Sequence, residues 1–221
     1  MPLSAPDKHS IEARRMTDDE WQTSAEPQAM LEFLQTSGTV SPRKLRLFAV
    51  ACSRRVWDGI DALGRSAVEA AESFADGLAS PEQLRAARLA CRGAGGRAAW
   101  YAAATNPAVA ARNAAGSARA GVANHALLGF EAAELLAQAG LVREIFGDPF
   151  RPLSFDPSWL TPAVVELAQT IYDDRAFHRM SELADVLEEA GCDIQAILVH
   201  CRMPGPHVRG CFVVDLLSSK E

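Results

Sequence analysis

Two histidines and two cysteines crowd the segment HCRMPGPHVRGC, residues 200–211, close to the C-terminus. His200, Cys201, His207 and Cys211 are all competent zinc ligands, since imidazole nitrogen and thiolate sulfur suit that borderline-soft ion. A helix starting near His207 would place His207 and Cys211 on one face, four residues apart. His200 and Cys201 would then approach from the preceding helix, across Pro204, Gly205 and Pro206. Two features oppose this set. Adjacent ligands point in different directions on a helix, and the C-x-x-C knuckle is absent. The favoured expectation is a structural corner: the prolines stiffen it, Gly205 lets it turn, and the cysteines pack as small apolar groups. Zinc is the alternative, and no other cofactor is expected.

A second cluster lies in YDDRAFHRMSE, where Asp174, His178 and Glu182 recur every four residues. One unbroken helix would stack them, and two carboxylates flanking an imidazole could hold a divalent ion or tune an acid–base group. The bland expectation is a solvated stripe beside Arg175 and Arg179, or a set scattered by a break near Phe177. A third group is basic. Arg43, Lys44, Arg46, Arg54 and Arg55, with Arg85, Arg88, Arg92 and Arg97, would form one anion-binding patch if their helices were adjacent. Such a patch neutralises phosphates and binds nucleic acid in a salt-dependent way. Its bland counterpart is pairing with acidic segments of the same chain. No phosphate-cradling glycine loop, nucleophile elbow or H-E-x-x-H motif occurs, so no catalytic residue is nominated and an enzyme is the less favoured class.

The elements that must position these groups read as helices. SPRKLRLFAVACSRRVWDG has Ser41 as cap, Pro42 in the first turn, and an apolar stripe at helical spacing. Thr17 and Glu20 have the spacing of a capping box. Residues 83–139 are rich in alanine, with breaks expected at the GAGG stretch and at Asn106-Pro107; tight internal packing is the favoured use of such small side chains. Four prolines between residues 149 and 162 mark an ordered, packed loop. The closing segments read as helices too, with Asp193 as a cap. The fold class expected is all-α: a multi-helix bundle with an Ala-rich centre and a Pro-rich loop. Residues 1–15 read as a disordered lead-in and 16–221 as a single helical domain, with a sub-division expected near 147–160.

Charge alternates in blocks along the 221 residues. Residues 33–57 carry five basic and no acidic groups, 58–82 one against six, and 83–130 six against none, within a net charge of −6. Such blocks favour packing of basic segments on acidic ones. Five cysteines in no disulfide pattern point to reduced thiols and a cytoplasmic protein, and no apolar run is long enough for a membrane span.

Taken as a set, MTDDEW, RKLRLFAVACSRRVW, IFGDPFRP, SWLTPAVVELAQTIYDDRAF and HVRGCFVVDLL resemble a large paralogous family of bacterial α-helical proteins with no established activity. The resemblance runs from about residue 16 to the end and implies that the earlier residues are an extension. It implies no reaction. The function expected is a non-enzymatic helical interaction or regulatory module, with a protein partner or self-association. A nucleic-acid-associated protein using the arginine helices, and a metal-binding protein or metal-dependent enzyme using the C-terminal cluster, are the alternatives.

Overall fold

A computed structural model describes residues 16–38, 40–93, 96–123, 130–153 and 155–220; the expected lead-in 1–15 lies outside them. Among the described residues the regular structure is helical, with no strand. The α-helices in chain order are α1 Asp18–Thr23, α2 Pro27–Thr36, α3 Pro42–Arg54, α4 Ala62–Ala75, α5 Pro81–Ala90, α6 Arg97–Ala102, α7 Pro107–Ala123, α8 Phe130–Phe146, α9 Pro162–Asp173, α10 Met180–Glu189, α11 Gln195–Arg202 and α12 Phe212–Leu217. None is long and apolar enough to cross a membrane.

Local chemistry sets most helix starts. Thr17 and Glu20 close the capping box of α1, Ser41 accepts from the Lys44 N–H ahead of Pro42, and Asp61, Ser80 and Thr161 cap α4, α5 and α9. Each such cap is worth ~1 kcal/mol. Asp193 does not cap α11, which begins after Ile194 without a side-chain cap. The tertiary packing of Ile194, Ile197 and Leu198 sets that boundary instead.

Helix α3 is the central strut, buried without interruption from Leu45 to Ser53. Phe48 and Cys52 face one core, shared with α1, α2 and α8; Ala49 and Val50 face another, shared with α4, α5 and α6. Helix α7 divides its alanines the same way, Ala111, Ala115 and Ala118 to the first core, Ala110 and Ala114 to the second. Alanine at these positions lets two helix backbones approach closely while both sides stay filled. The buried alanines of α6 and α7 are therefore internal packing.

A third core gathers α9 to α12 around Ile171, Leu183, Leu198 and Val214, and makes a C-terminal lobe. The Pro-rich loop is packed between lobes, with Phe150 stacked on Phe33 and Leu153 and Phe155 against the C-terminal core. Polar contacts tie the lobes together. Arg43 of α3 bonds Asp215, Asp76 and the Tyr172 hydroxyl, and Glu72 of α4 receives Arg54, Arg175 and Arg209. Burial alone would lower the Arg43 pKa, but Asp215, Tyr172 and Asp76 together outweigh it and hold the guanidinium above its ordinary value.

Candidate metal centre

Helix α8 carries an acid where apolar packing dominates. Leu141, Val142 and Ile145 fill the core, and Gly147, with φ of +70°, stops the helix one residue after its end. Glu144 lies in this last turn and is buried, although a carboxylate at a helix C-terminus is opposed by the macrodipole. Its compensation comes from the other lobe. Helix α11 presents Ile197, Leu198 and Cys201 to the C-terminal core, while Ala196, Val199, His200 and Met203 line the opposite, open side. Neighbours on a helix diverge by about 100°. His200 can thus reach Glu144 while Cys201, next to it, is buried in the C-terminal core.

Beyond α11 the chain turns through Met203–His207 by two tight bonds, Gly205 N–H to Met203 O and His207 N–H to Gly205 O. The residues that follow are not helical, so His207 and Cys211 do not meet by helical spacing. A turn closed by the Cys211 N–H on Val208 O brings them together, with Gly210 at φ of +93°. The left-handed glycine of this corner is Gly210, not Gly205.

Four donor groups converge there: Glu144, His200, His207 and Cys211, with ligand atoms all within 4.8 Å of one another. His200 Nε2 lies 3.2 Å from Cys211 Sγ and 3.3 Å from Glu144 Oε2, and His207 Nδ1 lies 3.2 Å from Glu144 Oε1. Tetrahedral zinc with bonds of ~2.0–2.3 Å to N, O and S needs ligand–ligand edges of roughly 3.3–3.6 Å. With Glu144 Oε2 as the ligand atom, the His200–Cys211 and His200–Glu144 separations are already near that size. His207 Nε2 is 3.1 Å from Met203 O and donates to it, which turns the Nδ1 lone pair inward. This is the second hydrogen bond that orients ligating imidazoles.

With Nε2–H given to Met203 O, neutral His207 would aim a lone pair at a carboxylate oxygen. A cation, either a proton or a metal ion, must lie between them. Burial works against a charged His207 ring, but the hydrogen bond and charge of Glu144, with the bond to Met203 O, prevail and raise its pKa. His200 goes the other way, lowered chiefly by burial. Burial and the nearby Glu144 push the Cys211 thiol well above its usual range. Cys201 is pushed up to about 12, mainly by burial, and stays a thiol.

The centre opens onto a cleft of about 740 Å³ between the lobes. Glu144, His200 and His207 line it, and fully buried Cys211 sits behind them.

The remaining candidates separate. Asp174 follows the end of α9, Arg175 takes a positive φ of 51°, His178 lies in a short 3-10 turn at Phe177–Arg179, and Glu182 belongs to α10. The break near Phe177, the alternative to a single-helix stripe, therefore scatters the set, and Glu182 is an exposed partner of Arg179. The basic patch is divided as well. Arg43, Arg54 and Arg55 pair with Asp215, Glu72 and Glu134, and buried Arg46 donates to the carbonyls of Ala102, Ala104 and Thr105. Lys44 is half-buried at the start of α3. On the other side Arg85 pairs with Glu82, Arg88 lies over Trp100, and Arg92 and Arg97 are exposed. The α3 arginines thus turn to partners inside the fold, acids for Arg43 and Arg54 and carbonyls for Arg46.

No family model matches the chain, and no curated protein or solved structure is significantly similar to it. The functional reading rests on the site. Of the residues nominated from sequence, His200, His207 and Cys211 converge; Glu144 was not nominated, and its one signal was an acid in the last turn of α8, between Arg143 and Ile145.

Proposed function

We propose that this chain is a metalloprotein that binds one zinc-class divalent ion through Glu144, His200, His207 and Cys211, at the floor of an interlobe cleft. The observation that carries this reading is the convergence of four donor atoms, contributed by α8, α11 and the corner before α12, within 4.8 Å. The donor set supports the choice of ion. One thiolate, two imidazoles and one carboxylate suit zinc, whereas calcium and magnesium favour all-oxygen sites. The ion would join Glu144 of the first lobe to three ligands of the second, so binding energy also stabilises the lobe interface. The interaction-module expectation has no comparable constellation, and the nucleic-acid expectation loses the α3 arginines to internal pairs.

Metal analysis of protein purified without an affinity tag, followed by zinc titration, tests the proposal. One equivalent per chain is expected. Cobalt substitution adds a specific readout, since a thiolate ligand gives a sulfur-to-cobalt charge-transfer band. Cys211→Ser should abolish that band and Cys201→Ala should keep it. Protein that takes up no stoichiometric zinc, or a band that follows Cys201, would overturn the assignment.

A further inference from the structure

We infer that the cleft over the metal centre binds an amphipathic monocarboxylate, its apolar tail between the lobes and its head group shared by Arg143 and the bound ion. The inference rests on the metal reading for one of its two anchors.

The walls supply the first argument. Phe146, Leu153, Val199, Met203, Phe212 and Leu216 line the cleft, and Val199 and Met203 are 51% and 57% exposed. A cleft of about 740 Å³ with mainly apolar walls and a few convergent polar groups has the character of a small-molecule site. The apolar positions are contributed by both lobes, so a tail lying between them removes water from two faces at once.

Charge supplies the second argument. Four ionisable groups besides the metal ligands bear on the head-group position: Arg143 and Arg151 line the cleft, as does Asp148, and Asp18 lies behind Arg151. Arg151 is already neutralised, 2.6 Å from Asp18 and 4.0 Å from Asp148, and Asp148 also accepts from Gln22. Arg143 differs. Its Nε donates to Trp21 O, and Nη2 donates to Trp21 O and Ser24 O, all neutral carbonyls. Among the described residues no carboxylate pairs with it, and Nη1 keeps both of its N–H groups. A half-buried guanidinium held by Nε and Nη2, with Nη1 left over, can donate to one oxygen of a carboxylate and leave the other for the ion. It lines the same cleft as Glu144 and His200, so one anion lying there can face both the guanidinium and the ion. His200 is the most exposed of the ligands, with 17% of its side chain open, and marks the side of approach. Zinc sites sometimes expand from four to five ligands, so a carboxylate arriving on that side would add to the four protein donors.

Calorimetric titration of the zinc-loaded protein with decanoate, below its micelle concentration, tests the inference, with decanol as the head-group control. Saturable one-to-one decanoate binding is expected, with decanol weaker by roughly tenfold or more, the loss of one charge-assisted contact. Stripping the zinc and substituting Arg143→Gln should each weaken decanoate to a similar degree. Because Arg143 also holds α1, Val199→Glu serves as a second variant: it sits on the exposed wall and should lose decanoate while keeping its zinc. If zinc binds but decanol matches decanoate, or Val199→Glu binds decanoate unchanged, the inference is wrong and the metal centre stands. If direct titration shows no zinc uptake, both readings fall, and decanoate binding insensitive to zinc overturns the shared head group.

Discussion

Gly210→Ala isolates the corner that aims Cys211. The residue has φ of +93°, which an L side chain rarely adopts, and an added Cβ would lie 3.0 Å from Leu47 Cδ1, 3.2 Å from Leu47 Cβ and 3.6 Å from Ile145 Cγ2. Left-handed backbone costs ~1–2 kcal/mol for a residue bearing a Cβ. The contact adds about 1–3 kcal/mol, because Leu47 is buried in α3 and its own Cβ cannot swing away. The total is about 2–5 kcal/mol. Gly77→Ala supplies the reference: its φ is +72° but nothing lies within 4 Å of the added Cβ, so only the backbone cost of ~1–2 kcal/mol remains. Urea denaturation of the two metal-free variants should separate them by about 1–3 kcal/mol. Thermal midpoints should differ by several degrees, at roughly 2–4 °C per kcal/mol for a chain of this length. Relief of the clash must move the backbone next to Cys211, so Gly210→Ala should also weaken zinc binding while Gly77→Ala leaves it intact. Equal stabilities for the two variants, or unchanged zinc affinity in Gly210→Ala, would refute the reasoning about this corner.

Three other outcomes are expected. In metal-free protein, NMR titration should show the His207 ring losing its proton above the ordinary histidine midpoint of 6.5 and His200 below it, since Glu144 stabilises the charged His207 ring whereas burial favours neutral His200; the reverse order would contradict the proton count at Glu144. Arg43→Met should cost about 3–5 kcal/mol in urea denaturation, because it strands Asp215, only 1% exposed, without its cation; Arg85→Ala, which breaks an exposed pair with Glu82, should stay within about 0.5 kcal/mol. Zinc at a hundred times its dissociation constant should stabilise the protein by ~2.7 kcal/mol, raising the thermal midpoint by roughly 5–10 °C, and Cys211→Ser should erase that shift.

What the sequence disclosed divides along the range of the physics involved. Ser41 before Pro42, Thr17 before Glu20 and the Asn106-Pro107 break act within one turn of chain, and α3, α1 and α7 begin where those signals place them. The alanine-rich middle was legible as packing because side-chain size limits how near two helices can come, and α3 against α7 uses that. The site was legible only in part. His200, His207 and Cys211 share twelve residues of chain, but the rule that selected Cys201 was proximity in sequence, and helix geometry turns neighbours apart. The stripe of Asp174, His178 and Glu182 failed for a related reason, since helical spacing means nothing across Arg175, whose positive φ ends the helix. Glu144 lies 56 residues before His200, and only the docking of the C-terminal lobe brings the two together at 3.3 Å. Its local anomaly was still present in the sequence. A buried carboxylate facing the negative end of its own helix is unfavourable unless a cation meets it, and here a proton on His207 or a metal ion does so. The acid that looked most out of place within α8 is thus the one that requires the rest of the site.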